Sequence, residues 1–98
     1  MDTVILINPF EIPQGQEEEA LRFWEQAAEY MRRQPGFIAT RLHKALSPDA
    51  RLAYVNIAEW EAAEHLQAAI SGEEFKRLTE GSQERFPHYP ALYRVIRA

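Results

Sequence analysis

The sequence contains no cysteine. Disulfides, thiolate nucleophiles and thiolate metal ligands are thereby excluded, and the lack fits a reducing compartment. No apolar run approaches the roughly 20 residues that a membrane-crossing helix needs, so no membrane partner is expected. The opening stretch, MDTVILINPFEIP, has an acid at Asp2, no basic lead-in, and a short apolar run that meets Asn8-Pro9. That is not the pattern of a secretory signal, and the expected location is cytoplasmic. Positive charge is scarce as well. The net charge is −4, and no basic stripe is interleaved with aromatics, which argues against nucleic acid as a partner. The three histidines include no pair spaced for joint ligation on one helix, so no metal is expected.

What is present is an ordinary globular mix, 46% hydrophobic and 27% charged. Its 98 residues suit a single domain spanning 1–98. A domain of this size buries only about two-thirds of its unfolded surface, so association with a second copy would add useful burial.

Val4 to Ile7 is β-branched and aliphatic, too short for a helix and ended by Asn8-Pro9, which predicts a first strand covered on both sides. After the turn Pro13-Gln14-Gly15, the acids Glu17, Glu18 and Glu19 suit the positive end of a helix. Helical spacing runs through Ala20, Trp24, Ala27, Ala28 and Met31 until Pro35-Gly36 stops it. Phe37 to Lys44 predicts a second strand, with Phe37, Ala39, Arg41 and His43 on one face and Ile38, Thr40, Leu42 and Lys44 on the other. Leu52 to Trp60 predicts a third, with Leu52, Tyr54, Asn56, Ala58 and Trp60 on one face. The polar turn Ser47-Pro48-Asp49 joins the two as an antiparallel hairpin. Glu61 to Ile70 is a second helix, and Ser71 with Glu74 has the spacing of a capping box for a short helix ended by Gly81. Ala91 to Ile96 is the fourth strand, after a proline-bounded loop in which His88 is expected to be exposed.

The order strand–helix–strand–strand–helix–strand predicts an α+β, ferredoxin-like βαββαβ fold, a four-stranded antiparallel sheet with its helices on one face. The other face would expose Val55, Ile57, Val95 and Ile96, which predicts a homodimer packed sheet to sheet.

With these elements placed, the sequence resembles the antibiotic biosynthesis monooxygenase family of the dimeric α+β barrel superfamily. The resemblance rests on Ile7-Asn8-Pro9-Phe10, Pro13-Gln14-Gly15, Trp24, Gln34-Pro35-Gly36-Phe37, Leu42-His43-Lys44, Asn56-Ile57-Ala58-Glu59-Trp60 and Glu73-Glu74-Phe75. It implies a homodimer, a pocket between sheet and helices, and cofactor-independent oxidation of a small aromatic such as a phenol or quinol. A non-catalytic binding or accessory module is the alternative. Heme degradation is disfavoured, because no histidine follows Phe75 in Lys76-Arg77-Leu78-Thr79.

Asn56 and Trp60, four apart on one strand face, match the family's pocket asparagine and tryptophan. They are the first catalytic candidates, with His65 as a base. Asn8, Trp24, Tyr54 and His43 are the candidates for contacting the substrate, His43 being the second possible base. Each has a plainer reading too. Asn8 could end a strand, Trp60 and the other aromatics could fill the core, and the histidines could be structural or surface groups.

Overall fold

The computed structural model describes residues 3–98. Its elements are β1 (Val4–Phe10), α1 (Glu17–Arg32), β2 (Phe37–Lys44), β3 (Tyr54–Trp60), α2 (Ala63–Ile70), α3 (Glu73–Leu78), α4 (Ser82–Arg85) and β4 (Ala91–Tyr93). The strands form one sheet in the order β2-β3-β1-β4, with every neighbouring pair antiparallel. This is the expected ferredoxin-like α+β arrangement. The helix-facing side of the sheet carries Tyr54, Ala58 and Trp60 of β3, all buried, with Leu6, Asn8 and Phe10 of β1 directly opposite Ala58, Asn56 and Tyr54.

β1 runs through Asn8-Pro9 to Phe10 rather than stopping at Ile7. Proline lacks an N–H, but its carbonyl still works in a ladder: Tyr89 N–H donates to Pro9 O at 3.1 Å. The missing donor faces the loop before β4, where no continuous strand needs it. Phe37 also departs from simple alternation. A bulge between Phe37 and Ala39 turns Phe37 onto the helix-facing side, where its ring meets Trp60 edge-on at 5.3 Å, while Ile38 is exposed. β4 ends at Tyr93, three residues short of the expected Ile96. Its sole neighbour, β1, begins at Val4, so pairing beyond Tyr93 has almost nothing to continue on.

Ser71 does not form the expected capping box. It keeps helical backbone angles at the end of α2, and its hydroxyl donates back to Gln67 O at 2.8 Å, leaving Gly72 to open α3. A further short helix, α4, follows Gly81, whose φ of 75° makes the turn.

The core is divided. One cluster gathers Tyr30, Ala58, Trp60, Leu66 and Ala69. The other gathers Phe10, Ala20, Tyr54 and Phe86. Between them on the sheet lies a polar row formed by Thr40, Asn56 and Asn8 on three adjacent strands. Apolar packing has no reason to close over such a row, and that is where the site lies.

Candidate functional site

A cavity of about 280 Å³ opens between the two core clusters. Its floor is β1, β2 and β3, and its roof is α1 with Leu66 and Phe75 from the later helices. The volume is at the small end of ligand pockets. Among the described residues no lysine, arginine, aspartate or glutamate lines it. A ligand that carried a fixed charge would find no counter-charge there, whereas a flat, neutral, apolar molecule would find aromatic and aliphatic walls.

The few polar groups are closely organised. Trp24 Nε1–H, on α1, donates to Asn56 Oδ1 at 3.1 Å. Thr40 Oγ1–H, on β2, donates to the same oxygen at 2.6 Å. An indole N–H can only donate, so this contact fixes which end of the Asn56 amide is oxygen. With both donors gathered on Oδ1, the Nδ2 amine has no protein partner among the described residues. It is not one of the sealed, unpartnered atoms either, so it remains accessible. Nearby, Asn8 Oδ1 and Trp60 Nε1 are buried with no hydrogen-bond partner. Unsatisfied buried polar atoms cost about 1–3 kcal/mol each, a local cost carried by the wall of this cavity. Of these groups Asn56 Nδ2 is the donor left accessible, whereas Asn8 Oδ1 and Trp60 Nε1 are sealed within the cavity wall.

Four of the expected site residues therefore meet at one cavity: Asn8, Trp24, Asn56 and Trp60. Three others fall outside it. Tyr54 shares the face of Asn56 but sits two residues along, inside the second core cluster, beside a void of about 10 Å³ that could hold a single water at most. His43 lies on the opposite sheet face, exposed, with Nδ1 at 3.2 Å from Val55 O, because strand alternation turns it away from Leu42. His65 is packed against Gly36 rather than against the cavity, and its Nδ1 is buried without a partner. Four polar cavity residues escaped the sequence reading, Thr40, Thr79, Ser82 and His88. Thr40 carried a weak signal, since it shares a face with Leu42. His88 carried none, because its inward position comes from a bridge to Phe10, 78 residues away in sequence.

The loop that bears His88 is held at its outer side by Tyr89. The Tyr89 hydroxyl donates to Glu11, which also accepts from Arg51 at 2.9 Å, and the Arg51 guanidinium lies 5.5 Å from the Tyr89 ring. The hydrogen bond to Glu11, then burial, raises the Tyr89 pKa above its ordinary 10.0, although Arg51 pulls the other way. Tyr54 is raised too, by burial first and by Glu17 second. A raised folded-state value means that the native protein holds these protons more tightly than the unfolded chain does. Their contribution is whole below pH 10 and is lost as pH rises through the folded values. The melting temperature is expected to fall above pH 10, with a shallower fall in Tyr89→Phe, where the Tyr89 contribution is gone and that of Tyr54 remains. Circular-dichroism melts across that range would show it, and equal slopes for the two proteins would exclude the Tyr89 contact as a cause.

Comparison with known proteins agrees with this fold. A candidate monooxygenase from Shewanella loihica PV-4 is 33% identical, superposes with a TM-score of 0.84, and matches over 99% of this chain and 97% of its own. SnoaB, a cofactor-independent oxygenase from Streptomyces nogalater, shares the fold with a TM-score of 0.85 at 23% identity, over 100% and 97% of the two chains. A candidate antibiotic biosynthesis monooxygenase from Bordetella bronchiseptica superposes at 0.77 with 18% identity, over 100% and 99%. A comparison with curated proteins gave no match. The family described as "Antibiotic biosynthesis monooxygenase" matches residues 3–81, from β1 to the turn before α4, and the chain belongs to that family.

Proposed function

We propose that the protein is a cofactor-independent monooxygenase that oxidises a small, electron-rich aromatic of the phenol or quinol type. The observation that carries this reading is the Asn56 amide, its oxygen tied down by Trp24 and Thr40 and its amine left free in a cavity without charged walls. A phenolate oxygen is a strong acceptor, and a pre-oriented N–H donor in a dry site is worth far more than in water. Trp60 supplies a flat apolar wall. The phenol would supply its own electrons. Dioxygen takes four electrons from the ring, one oxygen atom ends on a ring carbon and the other leaves as water, so phenol plus dioxygen gives quinone plus water. SnoaB supports the reading only in that a cofactor-independent oxygenase is built on the same fold.

The test is oxygen uptake with a panel of phenols and hydroquinones, without added metal or flavin. Turnover is expected for uncharged one- and two-ring members and not for their carboxylated or phosphorylated counterparts. Tight binding without oxygen uptake across the panel would favour the second reading, a binding or accessory module, which the lack of a charged acid–base group in the cavity keeps open.

The reading includes a homodimer. Ile5, Ile7, Val55, Ile57 and Tyr93 lie on the sheet face away from the helices, with Ile7 directly opposite Ile57 and Ile5 opposite Tyr93. Ile57 and Tyr93 are exposed in the single chain. A patch of this kind is favourably covered by a second copy about a two-fold axis. Ile57→Glu places two like charges near that axis and is expected to convert the wild-type dimer into a monomer of unchanged circular dichroism. Sedimentation velocity at micromolar concentration checks it, and a wild type that sediments as a lone protomer would remove the dimer from the reading.

A further inference from the structure

Among the described residues, the cavity has one titratable side chain in its wall, His88, on the loop between α4 and β4. That loop is pinned to β1 on both sides of the histidine. Glu11 N–H donates to Pro87 O at 2.8 Å, and Tyr89 N–H donates to Pro9 O at 3.1 Å. His88 thereby bridges to Phe10, and its ring lies over the Phe10 ring with centroids 5.2 Å apart. Its Nδ1 stands 2.8 Å from Phe86 O. A backbone carbonyl can only accept, so Nδ1 carries the hydrogen, and in the neutral ring the lone pair is on Nε2. Nε2 has no protein partner among the described residues and is not a sealed atom. His88 also lies beyond the 3–81 segment that matches the family.

We infer that His88 is the proton acceptor of this site, receiving the hydroxyl proton of a phenolic ligand on Nε2; the inference rests on the proposed function for its ligand class. The ligand O–H bond breaks, an Nε2–H bond forms, and the electron pair stays on the phenolate oxygen, which faces Asn56 Nδ2. The imidazolium so formed still donates Nδ1–H to Phe86 O, a contact that strengthens when the ring becomes charged. After oxygen transfer the same proton returns, together with the proton lost by the ring carbon that gained oxygen, to the oxygen atom that leaves as water. Asn8 lies opposite Asn56 and two residues along β1 from Phe10, the bridge partner of His88, so the floor between the two groups is Asn8.

The discriminating variant is His88→Asn, which keeps a side-chain N–H for the Phe86 carbonyl but has no nitrogen lone pair where Nε2 was. The probe is 4-cyanophenol at neutral pH, where most of the free phenol keeps its proton and the phenolate has its own absorbance band. The wild type is expected to raise the phenolate fraction of the bound probe. His88→Asn should lower that fraction about tenfold, and should lower oxygen uptake on an oxidised phenol about 100-fold, the scale of a lost general base. Affinity for 4-methoxybenzonitrile, which has no proton to give, should change less than about threefold. Undiminished phenolate in the variant overturns the inference, and so does an equal loss of affinity for both probes, which would make His88 a wall only. Nitrogen-15 NMR of the wild type provides an independent check: an Nε2–H tautomer in the neutral state also overturns it. A wild type that ionises 4-cyanophenol but takes up no oxygen with any phenol would sink the monooxygenase reading and leave the proton acceptor standing.

Discussion

Asn56→Ala is expected to cut oxygen uptake on a phenolic substrate at least about 100-fold, the usual consequence of removing one pre-oriented donor from a developing or resident oxyanion. The size of the effect follows from how the amide is held. Trp24 and Thr40 spend their donors on Oδ1, so Nδ2 does not need to reorganise when a negative oxygen arrives. Alanine also leaves those two donors without an acceptor, at about 1–3 kcal/mol for each one that stays buried, so some loss of stability accompanies the loss of activity. Asn56→Asp separates loss of the amine from loss of the acceptor. Its carboxylate still accepts from Trp24 and Thr40, which preserves the contact between α1 and the sheet. It presents an oxygen where the amine was, and that oxygen repels a phenolate. The aspartate variant keeps both contacts and loses only the amine, so it should oxidise phenols as poorly as the alanine variant, while a carboxylate without a counter-charge lowers its melting temperature. Steady-state oxygen electrode measurements on both proteins decide it, and a fully active Asn56→Asp would show that the amine is not the anion-holding group.

The frame of this protein is legible in the sequence because its punctuation is local. Pro13-Gln14-Gly15, Pro35-Gly36 and Ser47-Pro48-Asp49 separate the elements, and period-two alternation on β3 assigns Tyr54, Asn56, Ala58 and Trp60 to one face without any tertiary information. The errors cluster where a distant segment decides. Proline at position 9 stops a strand in isolation, yet β3 on one side and the Tyr89 amide on the other carry β1 past it. Phe37 reads as a partner of Arg41 until the bulge turns it over to Trp60. The site divides in the same way. Asn8, Asn56 and Trp60 follow from strand parity, and Trp24 from the helical stripe that faces them. His43 and His65 are candidates on their chemistry alone, and neither backbone position aims at the cavity. His88 looked like a surface residue because only the fold brings its loop beside Phe10.

The same kind of long-range contact makes Gly36→Ala the most damaging single-methyl change expected outside the cavity. Gly36 has a φ of 83°, a left-handed conformation that costs a non-glycine residue roughly 1–2 kcal/mol. An added Cβ would also stand 2.1 Å from His65 Nδ1, 2.2 Å from His65 Cγ and 2.5 Å from His65 Cβ. The crowding involves the root of the imidazole and not a flexible tip, so rotation of the side chain alone cannot relieve it. The carbonyl of Gly36 meanwhile accepts from Glu61 N–H at 2.8 Å, which ties the α1–β2 turn to the end of β3 and resists a backbone shift. Strain and overpacking together are expected to cost about 3–5 kcal/mol, a large share of the roughly 5–15 kcal/mol that holds a domain of this kind folded. Urea unfolding should show this as a lower midpoint at unchanged slope. The double change Gly36→Ala with His65→Gly removes the clash but keeps the backbone strain, so it should recover about half of the loss or more relative to His65→Gly alone, and the non-additivity measures the contact directly. If the two changes simply add, the φ requirement is the sole reason for glycine at position 36, and His65 has room to yield.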